Sequence, residues 1–182
     1  MTLGDPAKAV PGGIAILGLG NVLMGDDAFG PSLIKLLEAR YKFPDEVELI
    51  DGGTPGHDLP LYMEGWRTLI VVDAVKAAGA GGEVRLVRGE EILNRSLSAV
   101  VSPHEPGLAE ALLKLRFAGG LPGEVLVIGV IPLRIGTGMG LSTPVKNALS
   151  AAEAEVLRAL GRLGVAVQER IPPLRPETWW EA

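Results

Sequence analysis

The sequence predicts an α/β fold: a single domain in which a twisted, mostly parallel sheet of about five strands is sandwiched between helices. Apolar runs of strand length alternate along the chain with segments whose apolar residues recur every three or four positions. The chain has 182 residues, of which 47% are hydrophobic and 21% charged, and this suits one domain with a sizeable core. Its 25 glycines and 14 prolines are scattered between the apolar segments, as is typical of loops.

The first half of the chain predicts three strands and one helix. Residues 14–19 form a short apolar run that predicts a buried first strand. Residues 31–41 place apolar side chains on one face of a helix with proline in its first turn. Residues 47–50 predict a second strand followed by the turn sequence of residues 51–53, and residues 69–72 predict a third, buried parallel strand.

The second half predicts an edge strand or hairpin arm at residues 83–87, where polar and apolar residues alternate. A helix is expected at residues 108–115 and the last core strand at residues 125–130. The last helix, at residues 145–163, begins after a Ser-Thr-Pro sequence and ends before a glycine.

Three segments are expected along the chain. Residues 1–13 form an N-terminal arm, residues 14–168 the folded domain and residues 169–182 a proline-rich C-terminal tail. The tail ends in two tryptophans, and we expect it to pack loosely or not at all.

Charge and composition exclude several classes of protein. The formal net charge of −5 and a pI near 5.1 argue against a nucleic-acid binder, which needs a basic face. No apolar run approaches the roughly 20 residues of a membrane helix. The arm lacks the apolar core of a secretion signal and the chain contains no cysteine, so a cytoplasmic location is expected.

Acidic residues follow each of the first three predicted strands. Asp26 and Asp27 follow the first strand, Asp51 the second and Asp73 the third, while His104 lies in a loop just before a helix. Because the carboxyl ends of parallel strands meet at one edge of a sheet, we expect these side chains to converge there. One imidazole with two or three carboxylates suits a divalent ion such as Ni²⁺, Zn²⁺, Mn²⁺ or Co²⁺.

Each of these residues also has a purely structural interpretation. Asp51 stands before two glycines, as turn-forming aspartates often do. Asp26 or Asp27 can cap the following helix, and His104 can be an ordinary loop histidine. Asp73 is the hardest to explain in this way, because a carboxylate that ends a buried strand needs a partner, a capping role or a cation.

Two glycine motifs and the second histidine predict little chemistry. Residues 18–20 resemble the start of a dinucleotide-binding fingerprint, but Leu23 stands where the third glycine should be, which disfavours a nucleotide-binding domain. Residues 138–140 can expose backbone N–H groups to an anion, although a plain flexible loop is favoured. His57 lies in a loop rich in glycine and proline, and we expect it at the surface.

Five motifs, in order along the chain, resemble those of the nickel–iron hydrogenase maturation proteases. They are GLGNVLMGDDAFG at residues 18–30, DGGTPG at 51–56, LIVVDA at 69–74, SPHEPGL at 102–108 and GLS at 140–142. The resemblance extends from about residue 14 to residue 163, nearly the whole chain.

The resemblance implies a cytoplasmic endopeptidase that removes a short C-terminal extension from the nickel-loaded precursor of the hydrogenase large subunit, its expected partner. It implies that Asp27, Asp73 and His104 are metal ligands and carry the catalysis, with nickel presented by the substrate and other divalent ions able to substitute. The first ligand is often glutamate in the family, whereas here it is aspartate, so it stays open whether Asp26 shares the role of Asp27. Supporting roles are expected for five residues: Asp26, Asp51, Gly52, Gly53 and Thr54.

The sequence leaves the mechanism open between two accounts. With no cysteine and no serine in a Gly-x-Ser-x-Gly pattern, covalent catalysis has no obvious candidate, which favours metal-assisted hydrolysis with a carboxylate as base. In the other account, which the resemblance permits, the three ligands dock the nickel of the substrate so that only a loaded precursor is positioned. The alternative function is a non-catalytic, metal-sensing binding module or chaperone for the precursor C-terminus. No oligomeric state is predicted.

Overall fold

The computed structural model describes residues 12–94 and 107–181. The strands of these segments are β1 Ile14–Leu19, β2 Tyr41–Lys42, β3 Val47–Gly53, β4 Thr68–Ala74, β5 Val84–Arg88, β6 Glu124–Val130 and β7 Gln168–Glu169. The helices are α1 Phe29–Arg40, α2 Leu59–Met63, α3 Gly89–Asn94, α4 Leu108–Ala118 and α5 Thr143–Arg162. Short 3₁₀ turns lie at Asp26–Ala28, Gly56–Asp58 and Trp179–Glu181.

The main sheet has five strands in the order β3-β1-β4-β6-β5. The first four are parallel, and β5 pairs antiparallel with β6 at the edge. Strands β2 and β7 form a separate antiparallel pair. This strand arrangement confirms the predicted α/β fold with a mostly parallel sheet. Because β3, β1, β4 and β6 are parallel, their carboxyl ends lie at one edge of the sheet, where ligands bind in such folds.

Helices cover both faces of the sheet, because successive residues of each buried strand point to opposite sides. In β1, Ile14 and Ile16 pack with α1 and α5 on one face. Ala15 and Leu17 pack with α2, α3 and α4 on the other. No helix of the described segments is both long and apolar enough to span a membrane.

A buried charge ties the end of α1 to α5. Glu153 of α5 is 6% exposed and accepts hydrogen bonds from Arg40 Nη1 at 2.6 Å and from the Tyr41 hydroxyl at 3.0 Å. Burial, and then the hydrogen bond to Glu153, raise the pKa of Tyr41 to about 12, because both disfavour the phenolate.

Two strands run further than the sequence predicts. The turn expected at residues 51–53 is instead the end of β3, and Asp73 lies within β4 rather than after it. The segment of residues 51–53 pairs with β1, and Asp73 pairs with Gly129 of β6. This strand pairing overrides the local turn preference. Helix α1 begins at Phe29 instead of Pro31, and Tyr41 belongs to β2. Helices α2 and α3 and the β2–β7 pair were not predicted.

The expectation of a loosely packed tail is wrong for Trp180, although Ile171, Leu174 and Trp179 are exposed. Trp180 is 3% exposed and forms a small core with Val22 and Ala28, with Leu141 packed against it. Burying an indole removes a large apolar area from water, which fixes the end of the chain over the segment between β1 and α1. The division into arm, domain and tail remains a prediction, and residues 1–11 of the arm lie outside the described residues.

Candidate functional site

The segment that joins β1 to α1 folds back tightly over the end of β1. Gly20 has φ 139, and a Cβ there would overlap the carbonyl oxygen of Asp27. A Cβ at Gly30 would lie 2.6 Å from the carbonyl oxygen of Val72 in β4. A Cβ at Gly18 would lie 2.7 Å from the carbonyl oxygen of Gly30, so both glycines of the fingerprint-like sequence, Gly18 and Gly20, serve close packing. They bring Asp27 to the carboxyl ends of β1 and β4.

Asp27 is buried at this edge, with 3% of its surface exposed. Its Oδ2 accepts a hydrogen bond of 2.8 Å from the backbone N–H of Asn21. The Asn21 side chain in turn accepts a hydrogen bond of 3.0 Å from the N–H of Leu23. The carboxylate therefore holds the start of the loop that follows β1. The residue at the N-cap of α1 is Ala28, so neither Asp26 nor Asp27 occupies that position.

Asp73 is buried in the neighbouring strand, with 1% of its surface exposed. Its Oδ1 accepts a hydrogen bond of 2.8 Å from the N–H of Ala74. Strand β4 pairs with β1 and contacts the 3₁₀ turn that carries Asp26 and Asp27. The structure thus places the turn that carries Asp27 against the strand that carries Asp73, at the edge where the topology predicted them.

Four of the five residues expected to support the site, residues 51–54, lie at or just after the end of β3, on the other side of β1. Asp51 is half-buried, and its Oδ1 accepts a hydrogen bond of 3.3 Å from the N–H of Gly53. The pairing with β1 skips Gly52, which forms a bulge, and Gly53 has φ 54. The Gly53 carbonyl accepts a hydrogen bond of 2.8 Å from the N–H of Gly20. This bond joins the end of β3 to the loop of Asp27, and Thr54 follows as an exposed residue.

The third predicted ligand, His104, lies outside the described residues. Among residues 12–94 and 107–181, no group of three His, Cys, Asp or Glu side chains is arranged to hold a metal ion. The predicted ligand set includes one residue beyond these segments, so it stays a prediction. His57 is exposed at the surface, as expected.

Asp26 differs from its neighbour in every contact. Its side chain is fully buried. Its Oδ2 accepts hydrogen bonds from the N–H groups of Leu133 and Arg134, at 2.9 and 2.8 Å. Ser142 supplies two more, from its hydroxyl to Oδ2 at 2.9 Å and from its N–H to Oδ1 at 2.6 Å. Asp26 therefore anchors the loop between β6 and α5, and both of its oxygens serve that loop.

The same two loops are also joined through their backbones. The N–H of Gly25 donates to the carbonyl of Gly138 at 2.7 Å, and the N–H of Gly138 donates to the carbonyl of Leu23 at 2.9 Å. Because the Gly138 N–H already donates a hydrogen bond to the Leu23 carbonyl, it is not free to bind an anion. The loop interpretation of residues 138–140 fits this geometry better than an anion site does.

A comparison with protein families decides the relationship. The family model described as hydrogenase maturation protease matches residues 31–159, more than half of the chain. The chain belongs to the hydrogenase maturation protease family. Among its family relatives, the hydrogenase 2 maturation protease of Escherichia coli K12 is 39% identical over 160 residues, which cover 87% of this chain and 95% of that protein. The hydrogenase expression/formation protein HupM of Azotobacter chroococcum is 38% identical over 158 residues, covering 86% of this chain and 76% of that protein.

Solved structures of the family share the fold. The hydrogenase maturating endopeptidase HybD from Escherichia coli superposes with a TM-score of 0.78 at 37% identity, covering 88% of this chain and 99% of that one. The maturation protease HybD from Thermococcus kodakarensis gives a TM-score of 0.66 at 27% identity, covering 81% of this chain and 98% of that one.

In this family member, sequence reasoning missed the partner of Asp26. Ser142 was expected at a helix start and as the last residue of the GLS motif, and it does precede α5. Its hydroxyl, however, is donated to Asp26 instead of capping the helix. The signal available in the sequence was the pair of adjacent aspartates, since two neighbouring side chains in a tight turn cannot both face one site.

Proposed function

We propose that the chain is a cytoplasmic endopeptidase that removes a short C-terminal extension from the nickel-loaded precursor of a hydrogenase large subunit. The observation that carries this proposal is a pair of buried carboxylates in a hydrogenase maturation protease fold: Asp73 near the end of β4, and Asp27 in the 3₁₀ turn that contacts β4. Buried carboxylates on two elements that contact each other are costly unless donors or a cation compensate their charge. A metal-handling site at this edge accounts for that arrangement.

In this proposal, Asp27, Asp73 and His104 receive the nickel ion that arrives with the precursor. Carboxylate oxygens and imidazole nitrogens together suit Ni²⁺, and other divalent ions can substitute. Backbone N–H groups fix the orientation of both carboxylates, with Asn21 donating to Asp27 and Ala74 donating to Asp73. Hydrogen bonds of this kind commonly orient metal ligands.

Hydrolysis without a covalent intermediate fits the composition of the site. The chain has no cysteine, so a thiolate nucleophile is excluded. A divalent ion bound at such a site can polarise a peptide carbonyl or acidify a water molecule. A carboxylate of the chain would accept the proton of the attacking water, and its burial strengthens every electrostatic interaction at the site.

The test is processing of purified nickel-loaded precursor by the wild-type chain and by three variants, Asp27→Ala, Asp73→Ala and His104→Ala. Each variant is expected to lower the rate of cleavage by at least about 100-fold, the usual contribution of a group that acts directly in the reaction. Asp45→Ala is the matched control, because Asp45 is exposed and precedes β3 at the opposite edge of the sheet. It should process the precursor at the wild-type rate.

Two further results complete the test. Asp27→Glu keeps a carboxylate at the same position and should retain much more activity than Asp27→Ala. Thermal unfolding of every variant separates loss of the site from loss of the fold. Wild-type rates in all three alanine variants would contradict the assignment of the site. A precursor that is bound by the wild-type chain but never cut would instead support a metal-sensing binding module.

A further inference from the structure

Four large apolar side chains are exposed on the two loops beside the site. They are Leu23, Leu133, Ile135 and Met139, with exposed fractions of 49, 61, 38 and 57%. Single exposed apolar residues are ordinary, but several on adjoining loops mark an interaction surface more often than chance placement does. We call these four residues the apolar platform.

The platform is one surface rather than two independent loops. Met24 bridges Gly138, and Gly25 bridges Ile135, in short stretches of β pairing. The N–H of Asp26 also donates to the carbonyl of Arg134 at 3.2 Å. Residues 21–25 and 133–139 are therefore held side by side along their lengths.

A buried charge fixes the loop that carries three of the four platform residues. The fully buried Asp26 carboxylate accepts four hydrogen bonds from Leu133, Arg134 and Ser142. Hydrogen bonds to an ionised carboxylate are stronger than those between neutral groups, and they define geometry closely. The loop therefore presents its apolar side chains in a preformed arrangement, which lowers the entropy that binding would cost.

The platform adjoins the proposed site directly. Leu23 is joined to Asp27 through Asn21, whose N–H donates to the Asp27 carboxylate and whose side chain accepts from the Leu23 N–H. Asp26, which anchors the other loop, is the next residue along the chain from Asp27. A polypeptide bound at Asp27 would therefore extend across the platform.

We propose that the apolar platform binds an apolar segment of the large-subunit precursor beside the bond that is cleaved, with Asp26 as the positioning residue of the platform. The inference rests on the proposed function, because an endopeptidase at this edge must hold a polypeptide across it. The four platform side chains are uncharged, which favours an apolar stretch of that polypeptide, and the exposed Arg134 adds one positive charge to the same loop. Because the platform adjoins the proposed site, the molecule expected to bind it is the substrate itself.

The experiment compares the kinetics of precursor cleavage for Leu133→Glu and Met139→Glu with those of the wild-type chain. Each variant is expected to raise KM about tenfold and to change kcat by less than about twofold, since docking is weakened but the site is intact. Phe117→Glu is the matched control: Phe117 is 88% exposed, near the end of α4 that leads into the start of β6, away from the site. Its KM should equal that of the wild type.

Asp26 is tested through Ser142→Ala, which deletes one of its four hydrogen bonds and leaves the carboxylate in place. The variant should raise KM by roughly threefold with little change in kcat, since the platform would be less well ordered. A merely structural role would leave KM unchanged even though the loss of the hydrogen bond lowers the melting temperature. Leu133→Ala, which adds no charge, should show a smaller rise in KM than Leu133→Glu.

The outcomes separate this inference from the proposed function. KM values for both platform variants equal to that of Phe117→Glu would overturn the platform, while wild-type cleavage would leave the proposed function standing. Absence of cleavage by the wild-type chain would instead contradict the proposed function. Affinity for the uncut precursor, measured by biolayer interferometry, would then test the platform alone: about tenfold weaker binding of Leu133→Glu supports it, and unchanged binding overturns it.

Discussion

Replacing Asp26 should loosen the loop between β6 and α5 in proportion to the hydrogen bonds that are lost. Asp26→Ala leaves the N–H groups of Leu133, Arg134 and Ser142 without their acceptor. Each buried donor left unsatisfied costs about 1 to 3 kcal/mol, and relief of a buried charge and entry of water offset part of the sum. We expect the free energy of unfolding to fall by about 4 kcal/mol.

Two milder variants set the scale. Ser142→Ala removes only the hydroxyl donor and should cost about 1 kcal/mol. In Asp26→Asn, an amide oxygen at the Oδ2 position still accepts from Leu133, Arg134 and the Ser142 hydroxyl, but the amide NH₂ then faces the Ser142 N–H. That variant should cost about 2 to 3 kcal/mol, between the other two.

Urea denaturation followed by tryptophan fluorescence measures this series. For a chain of this size about 1 kcal/mol corresponds to roughly 2–4 °C in Tm, so Asp26→Ala should lower Tm by roughly 8–16 °C. Asp45→Ala, an exposed aspartate, should change neither quantity. The reasoning is refuted if Asp26→Ala costs less than about 1 kcal/mol, or if Ser142→Ala costs as much as Asp26→Ala.

Three further predictions concern the tail, the glycines and the alkaline limb of stability. Trp180→Ala should lower the free energy of unfolding by about 3 kcal/mol in urea, whereas Trp179→Ala, which is 59% exposed, should have little effect; equal costs would contradict the packing of the tail. Gly30→Ala should lower the free energy of unfolding by about 3 kcal/mol or prevent folding, because the added Cβ would meet backbone carbonyl oxygens. Gly161→Ala, in α5 and facing open space, should raise it by about 0.5–1 kcal/mol. Changes of the same sign in the two variants would contradict the close packing at Gly30. Because the pKa of Tyr41 rises from 10.0 to about 12 on folding, its contribution to stability is present below pH 10 and lost as pH rises to 12. The 295 nm titration should lose a component near pH 12 in Tyr41→Phe, and an unchanged curve would contradict this.

Much of the fold follows from the sequence because the sheet is buried on both faces. Continuous apolar strands such as residues 69–72 stand out from helices whose apolar residues recur every three or four positions. With parallel strands, the position of acids after the first and third predicted strands already predicts that Asp27 and Asp73 lie at one edge of the sheet. Topology alone carries that part of the site.

The remaining features depend on contacts between distant parts of the chain. Nothing local distinguishes Asp26 from Asp27; the difference arises from donors 107 to 116 residues away. The turn preference of residues 51–53 is overridden by pairing with β1, and the tail is fixed by a tryptophan that fills a space formed by Val22 and Ala28. Such contacts leave no local periodicity, which is the signal that sequence analysis uses.

The measurement that tests the central proposal most directly is the intact mass of hydrogenase large-subunit precursor incubated with and without this chain. Nickel-loaded and nickel-free precursors are compared under the same conditions. The account predicts a loss of mass equal to a short C-terminal peptide in the nickel-loaded precursor alone. Cleavage of both precursors would keep the peptidase and contradict the role of nickel. An unchanged mass for the nickel-loaded cognate precursor would contradict the proposed endopeptidase activity.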